Sequence, residues 1–247
     1  MLHNIKELKK FDITAIDGPI GTVHDFILDE KHWTVRYLVV DTMKWLPGRK
    51  VLISPMSISE FDLVNGNIQL SLTKEKIKDS PPIESKLPTR EYEANLVHYY
   101  GLRPYWSDHS FWKEYTPTSE LTKPNSEFET MDEDYDGKST LRSFTEISGY
   151  TIEAIDGNLG HVENFVICDE TWQVRYLVVD TRNWWLGKHV LIAPEWITYV
   201  SWPEKIMRVE LKKDTIEKGP EYEPEQVITR DFEDEIYTKY DKPKFWL

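Results

Sequence analysis

The chain contains a long internal repeat, and that repeat limits what it can fold into. A shift of 139 residues aligns positions 15–58 with 154–197 without a gap, and 23 of those 44 positions are identical. The densest stretch is Trp33-Thr-Val-Arg-Tyr-Leu-Val-Val-Asp-Thr42 against Trp172-Gln-Val-Arg-Tyr-Leu-Val-Val-Asp-Thr181. Gly18, Gly21 and Gly48 recur as Gly157, Gly160 and Gly187. The same shift pairs positions 74–81 with 213–220, and 89–93 answers 229–233 after one inserted residue. Solenoid repeats run about 20–50 residues, so a unit of roughly 100 reads instead as a domain with its own core. The sequence therefore predicts two domains, residues 1–106 and 141–247, joined by a linker over 107–140.

Strand signals dominate each copy. Asp17-Gly18 and Asp156-Gly157 favour tight turns, because glycine accepts positive φ without steric cost. Trp33–Thr42 is dense in β-branched and aromatic residues. Val51-Leu52-Ile53 is a short apolar strand stopped by Pro55. Asn65-Gly66 between Phe61–Val64 and Ile68–Leu72 is a hairpin turn. Each copy reads as about six short strands, a small barrel or sandwich. A helix follows, with Thr89 as cap and Tyr92, Leu96, Tyr99 and Tyr100 on one face. The second copy offers Thr229, Phe232, Ile236 and Tyr240 at the matching places.

The strand Trp33–Thr42 has a further property. Alternation puts Trp33, Val35, Tyr37 and Val39 on one face and Thr34, Arg36, Leu38 and Val40 on the other. Both faces are apolar through the C-terminal half, so one can fill a barrel while the other needs a second layer. The following helix, the sister barrel or another subunit could supply it. The sequence reading places the two barrels together through this face, with Arg36 or Arg175 met by a carboxylate or carbonyl.

Charge excludes some functions. The net charge is −13 and the pI about 5.0, which disfavours binding to a phosphate backbone. Residues 107–146 carry 4 basic against 10 acidic side chains, the most acidic stretch of the chain. With little apolar periodicity it reads as a disordered or loosely wrapped linker, to be cut first by proteases into two stable fragments. No run approaches the roughly 18 apolar residues of a membrane span, and Met1–Glu7 lacks an apolar signal core. The expected location is cytoplasmic. The single cysteine, Cys168, rules out an intrachain disulfide and any multi-cysteine metal site.

The motifs Asp-Gly-x-x-Gly-x-Val, Trp-x-Val-Arg-Tyr-Leu-Val-Val-Asp-Thr and Trp-Leu-Pro-Gly-Arg-Lys-Val-Leu-Ile resemble the PRC-barrel family, and the second copy resembles it too. The resemblance implies a mainly β chain: two small PRC-type β-barrels in tandem, each followed by a short α-helix and joined by an acidic linker. Named members of the family include the cytoplasmic part of the photosynthetic reaction-centre H subunit and the C-terminal domain of a ribosome maturation factor. Both use the barrel to dock on other macromolecules. The resemblance supplies no catalytic residue.

The residues themselves offer few chemical candidates. Asp132, Asp134, Asp136 and Gly137 match the first half of a calcium loop, but position 12 is Ser143 rather than glutamate, so the run reads as a solvated acidic linker. His24, His32, His98, His109 and His189 lack metal-ligand spacing. His161 and Cys168 fall on opposite strand faces, and the first copy has Thr22 and Asp29 there. No metal or cofactor is expected. The turn tryptophans, Trp45-Leu46 and Trp184-Trp185, serve either as barrel lids or as a surface for a partner. The candidate interface is therefore Arg36, Leu38, Val40, Arg175, Leu177, Val179, Trp45, Leu46, Trp184 and Trp185. The reading is a non-enzymatic protein-interaction or structural/assembly module with a protein partner and no nucleic acid. A homodimer or an intramolecular barrel–barrel pairing would use the covered face. The alternative is a sensor for a small ligand or headgroup bound between the barrels.

Overall fold

The computed structural model describes residues 1–42, 45–83, 87–106, 140–181 and 188–246. The first repeat runs β1 (Leu2–Asn4), α1 (Ile5–Leu8), β2 (Asp12–Ala15), β3 (Gly18–Asp29), β4 (Thr34–Asp41), β5 (Lys50–Ile53), β6 (Ile58–Asp62), β7 (Asn67–Leu70), α2 (Lys74–Lys78) and α3 (Arg90–Tyr100). The second runs β8 (Leu141–Ser143), α4 (Phe144–Ile147), β9 (Thr151–Ala154), β10 (Gly157–Cys168), β11 (Val174–Asp180), β12 (His189–Ile192), β13 (Ile197–Ser201), β14 (Ile206–Val209), α5 (Lys213–Glu217) and α6 (Arg230–Lys239).

These strands make two seven-stranded sheets with one plan. The first has the order β5-β4-β3-β2-β7-β6 and the second β12-β11-β10-β9-β14-β13. Each is built around a twelve-residue strand, β3 or β10, whose two halves have different neighbours beyond β4 or β11. Two register shifts interrupt each long strand against its partner, between Val23 and Asp25 and between Ile27 and Leu28 in β3, and at the matching places in β10. Such bulges bend a strand and sharpen its twist, which lets one strand serve both parts of a curved sheet. Glycine is required where β3 begins. A Cβ on Gly21 would lie 1.8 Å from the Asp41 carbonyl oxygen, and one on Gly160 2.0 Å from that of Asp180.

The chain divides into two compact units. The N unit comprises Glu7–Thr145 and Asp169–Gln173, and the C unit Met1–Lys6, Glu146–Cys168 and Val174–Leu247. This division departs from the expected boundaries at the first strand of each repeat and at Asp169–Gln173. β1 pairs with β10 in the C unit, and β8 pairs with β3 in the N unit. The registers are equivalent: Leu2 opposes Cys168, and Leu141 opposes Asp29. Each unit thus takes one strand from the other repeat.

The first bulge anchors the exchanged strand in each unit. Asp25 accepts from the Ser143 hydroxyl at 2.5 Å and from the Thr145 backbone N–H at 3.3 Å. Asn164 accepts from the Lys6 backbone N–H at 3.2 Å and donates to the Asn4 side chain at 3.1 Å. Asn4 in turn donates to the Tyr222 hydroxyl and the Pro224 carbonyl, both at 2.7 Å.

The helices form as the sequence suggests at their ends. Thr89 and Thr229 accept from the backbone N–H groups of Tyr92 and Phe232. Gly101, at φ 70°, closes α3 in the left-handed conformation. The buried face of α3 is Glu93, Leu96, Val97 and Tyr100, which keeps Leu96 and Tyr100 of the expected face and has Glu93 and Val97 in place of Tyr92 and Tyr99.

Candidate functional site

β4 and β11, each second from the edge of its sheet, are buried on both faces. Leu38 and Val40 are fully buried, as are Leu177 and Val179. In the N unit the cover over Arg36 comes from the unit itself. The Arg36 guanidinium donates to Asp29 at 2.9 Å and lies 4.1 Å from the centre of the Tyr105 ring, just beyond α3. His32 adds a 2.8 Å contact to the same carboxylate. Burial works against ionisation of Asp29, but the hydrogen bond to His32 and the Arg36 charge outweigh it and hold the acid well below the usual carboxylate range.

A second buried carboxylate ties α3 to the strand. Glu93 accepts from the Tyr37 hydroxyl at 3.0 Å and the Tyr105 hydroxyl at 2.9 Å, and pairs with Arg90 at 3.2 Å. Burial pushes Glu93 up to about 7 despite Arg90 and the two tyrosines. The C unit repeats the device. Tyr176 donates to Glu233 at 2.8 Å, Arg230 pairs with that carboxylate at 2.9 Å, and Arg230 stacks 4.5 Å from the Trp246 ring centre. The repeats differ at one point. Cys168 stands where Asp29 does, and the half-buried Arg175 lies 3.9 Å from the Phe245 ring centre.

Arg36 and Tyr37 on β4, and Arg175 and Tyr176 on β11, thus meet the following helix or the aromatic tail after it. The sequence reading missed Glu93, Glu233, Tyr105, Trp106, Phe245 and Trp246 in this role. Their signal was available in Pro104-Tyr105-Trp106 and Lys244-Phe245-Trp246, an aromatic pair that follows each helix.

The turn residues are only partly placed. Trp45 and Leu46 are half-buried, and the Lys74 ammonium sits 5.0 Å from the Trp45 ring centre. Trp184 and Trp185 lie outside the described residues, as do Asp132, Asp134 and Asp136.

The N unit also holds a cleft of about 580 Å³ beside the first bulge. Ile27, Val39, Leu52 and Ile83 supply apolar walls, and His24, Arg49 and Lys50 supply the basic lining. Lys50 Nζ lies 2.7 Å from His24 Nε2. Arg49 is already engaged, donating to the carbonyls of Lys78 and Ser80. In the C unit, Tyr222 takes the position of Ile83 in the repeat, and its ring is buried with its hydroxyl bound by Asn4. At this position the first repeat thus has an isoleucine lining a cleft and the second a buried tyrosine.

Two curved sheets of one strand order, each backed by a helix and an aromatic tail, define a tandem of small β-barrel domains. Residues 2–77 match the family model described as PRC-barrel domain. The chain carries a PRC-barrel domain there, and its second sheet repeats that domain's strand order. No match to the chain was found among curated proteins. Among the described residues, no helix is long and apolar enough to cross a membrane.

Proposed function

We propose that this chain is a non-enzymatic protein-interaction or assembly module of the cytoplasm. The observation that carries this reading is the PRC-barrel match joined to a second barrel of the same plan. The family resemblance implies docking on macromolecules. The chemistry of the buried ionisable groups supports the same reading. Asp25 fastens the exchanged strand, Asp29 neutralises Arg36, and Glu93 and Glu233 fasten the helix and tail to the sheet. Each of these groups is engaged in architecture.

Trp45 and Leu46, at a turn beside Lys74, are the described residues best suited to meet a partner. Affinity capture by the intact chain tests this. One partner retained at fixed stoichiometry by the parent and lost with Trp45→Ala, at unchanged melting temperature, is the expected result. Turnover of a substrate by the purified chain would overturn the non-enzymatic reading.

The cleft in the N unit favours a second reading, a sensor for a small anionic amphiphile. Its apolar walls suit a short hydrocarbon part, and Lys50 with His24 suits an anionic head. Thermal stabilisation by a glycerophosphate ester, lost with Lys50→Glu, would favour this reading over the first.

A further inference from the structure

The same three-strand row carries different chemistry in the two repeats. In the C unit, His161 on β10 lies directly opposite Asp180 on β11, and Asp180 lies directly opposite His189 on β12. Directly opposed residues project from the same face of a sheet, so the three side chains stand together. Gly160 keeps this row tight, because its missing Cβ lets β10 approach the Asp180 carbonyl. Glu163 is the extra residue of the first bulge, between Val162 and Asn164 in the register. A bulge re-aims a side chain, and here the shift brings Glu163 to the row.

The distances are short. His189 Nε2 lies 2.6 Å from a Glu163 oxygen, and His161 Nε2 lies 3.8 Å from an Asp180 oxygen. One ligand atom each from Glu163, Asp180 and His189 falls within 4.8 Å of the others. Asp180 is fully buried, and Glu163 and His189 are half-buried. Lys6 reaches the other Glu163 oxygen at 2.9 Å.

We propose that His161, Glu163, Asp180 and His189 form a binding site for a divalent transition-metal ion of the zinc class. Two imidazoles and two carboxylates are a suitable donor set for such an ion and a poor one for calcium or magnesium, which prefer all-oxygen sites. Tetrahedral ligands about 2.1 Å from an ion stand roughly 3.4 Å apart, so Glu163, Asp180 and His189 need to contract by no more than about 1.4 Å, and His161, 3.8 Å from Asp180, joins them as the fourth ligand by a turn of its ring. Binding replaces the contacts of Glu163 with Lys6 and His189 by contacts to the ion. The first repeat shows why the site belongs to the second alone. There the row reads Thr22, Asp41 and Lys50, with His24 at the bulge. The Lys50 ammonium, 2.7 Å from His24, is a built-in cation on that row. Threonine and lysine in the first repeat become histidines in the second, which turns a row that supplies a cation into one that takes one. Sequence spacing hid the site because its four donors come from three strands.

The test uses the full chain, freed of metal by a chelator and titrated calorimetrically with Zn²⁺ alone, with Co²⁺ as a visible-absorbance probe of coordination. The variants His161→Thr and His189→Lys import the first repeat's own residues, which the same strand row already accommodates. The expected result is one ion per chain, with affinity at least about tenfold weaker in each variant, since loss of even an outer partner costs ~10–100-fold. The double variant loses saturable binding and the cobalt absorbance while melting like the metal-free parent. Should it fail to fold, Glu163→Gln is read in the same way. Absence of saturable binding by the parent, or equal affinity in every folded variant, would overturn the site.

Discussion

Residue by residue, the two repeats show what one acidic side chain does for a buried arginine. The Arg36 side chain is 1% exposed and Asp29 3%. Asp29→Asn removes the carboxylate of a buried ion pair, and breaking such a pair costs about 3–5 kcal/mol. Arg175→Ala, at a half-buried stacked site beside Cys168, is expected to cost clearly less. Urea denaturation with an unchanged slope checks both. The lowered Asp29 adds stability that is present above the ordinary carboxylate range and lost as pH falls through and below it. Glu93 works in the opposite sense. Folded, it keeps its proton up to about 7, whereas unfolded it releases it near 4.5. The folded state therefore binds more protons across that window, and stability falls by on the order of 3 kcal/mol as pH rises through it. Glu93→Gln should flatten that slope in denaturation curves taken from pH 5 to 8. A variant with the parent's slope would assign it to another group.

Among the elements, the exchanged strands depend on one side chain each. Asn164 holds the Lys6 backbone, the Phe165 backbone and the Asn4 amide together. Asn164→Ala leaves buried polar groups without those partners, a loss of about 1–3 kcal/mol each when uncompensated. Hydrogen exchange should show β1 amides opening faster in that variant, while those of β8, held by Asp25, keep the parent's rate. Strand identities were legible from the repeat because turn glycines and β-branched runs are local signals. The pairing partner of β1 was not. Leu2 and Leu141, and the edges they meet, are near copies, so the pattern fits either arrangement and only the fold decides. The two-faced burial of β4 was legible from Leu38 and Val40, but the tie from Tyr37 to the helix was not. Glu93 reads as a solvent residue on a helical wheel, and its burial depends on Tyr37, 56 positions away.

For the whole molecule, the strand exchange changes what a domain means in this chain. A break within residues 107–139 separates the repeats covalently, yet β1 stays in the sheet of the second repeat and β8 in that of the first. The fragments expected from sequence as independent barrels therefore each lack a strand. The most direct measurement places a specific protease site within 107–139, cleaves the native chain and follows the products by size-exclusion chromatography and native mass spectrometry. The exchange predicts that both fragments travel as one 1:1 species and part only in denaturant. Two fragments that separate under native conditions, each folded and monomeric, would contradict it.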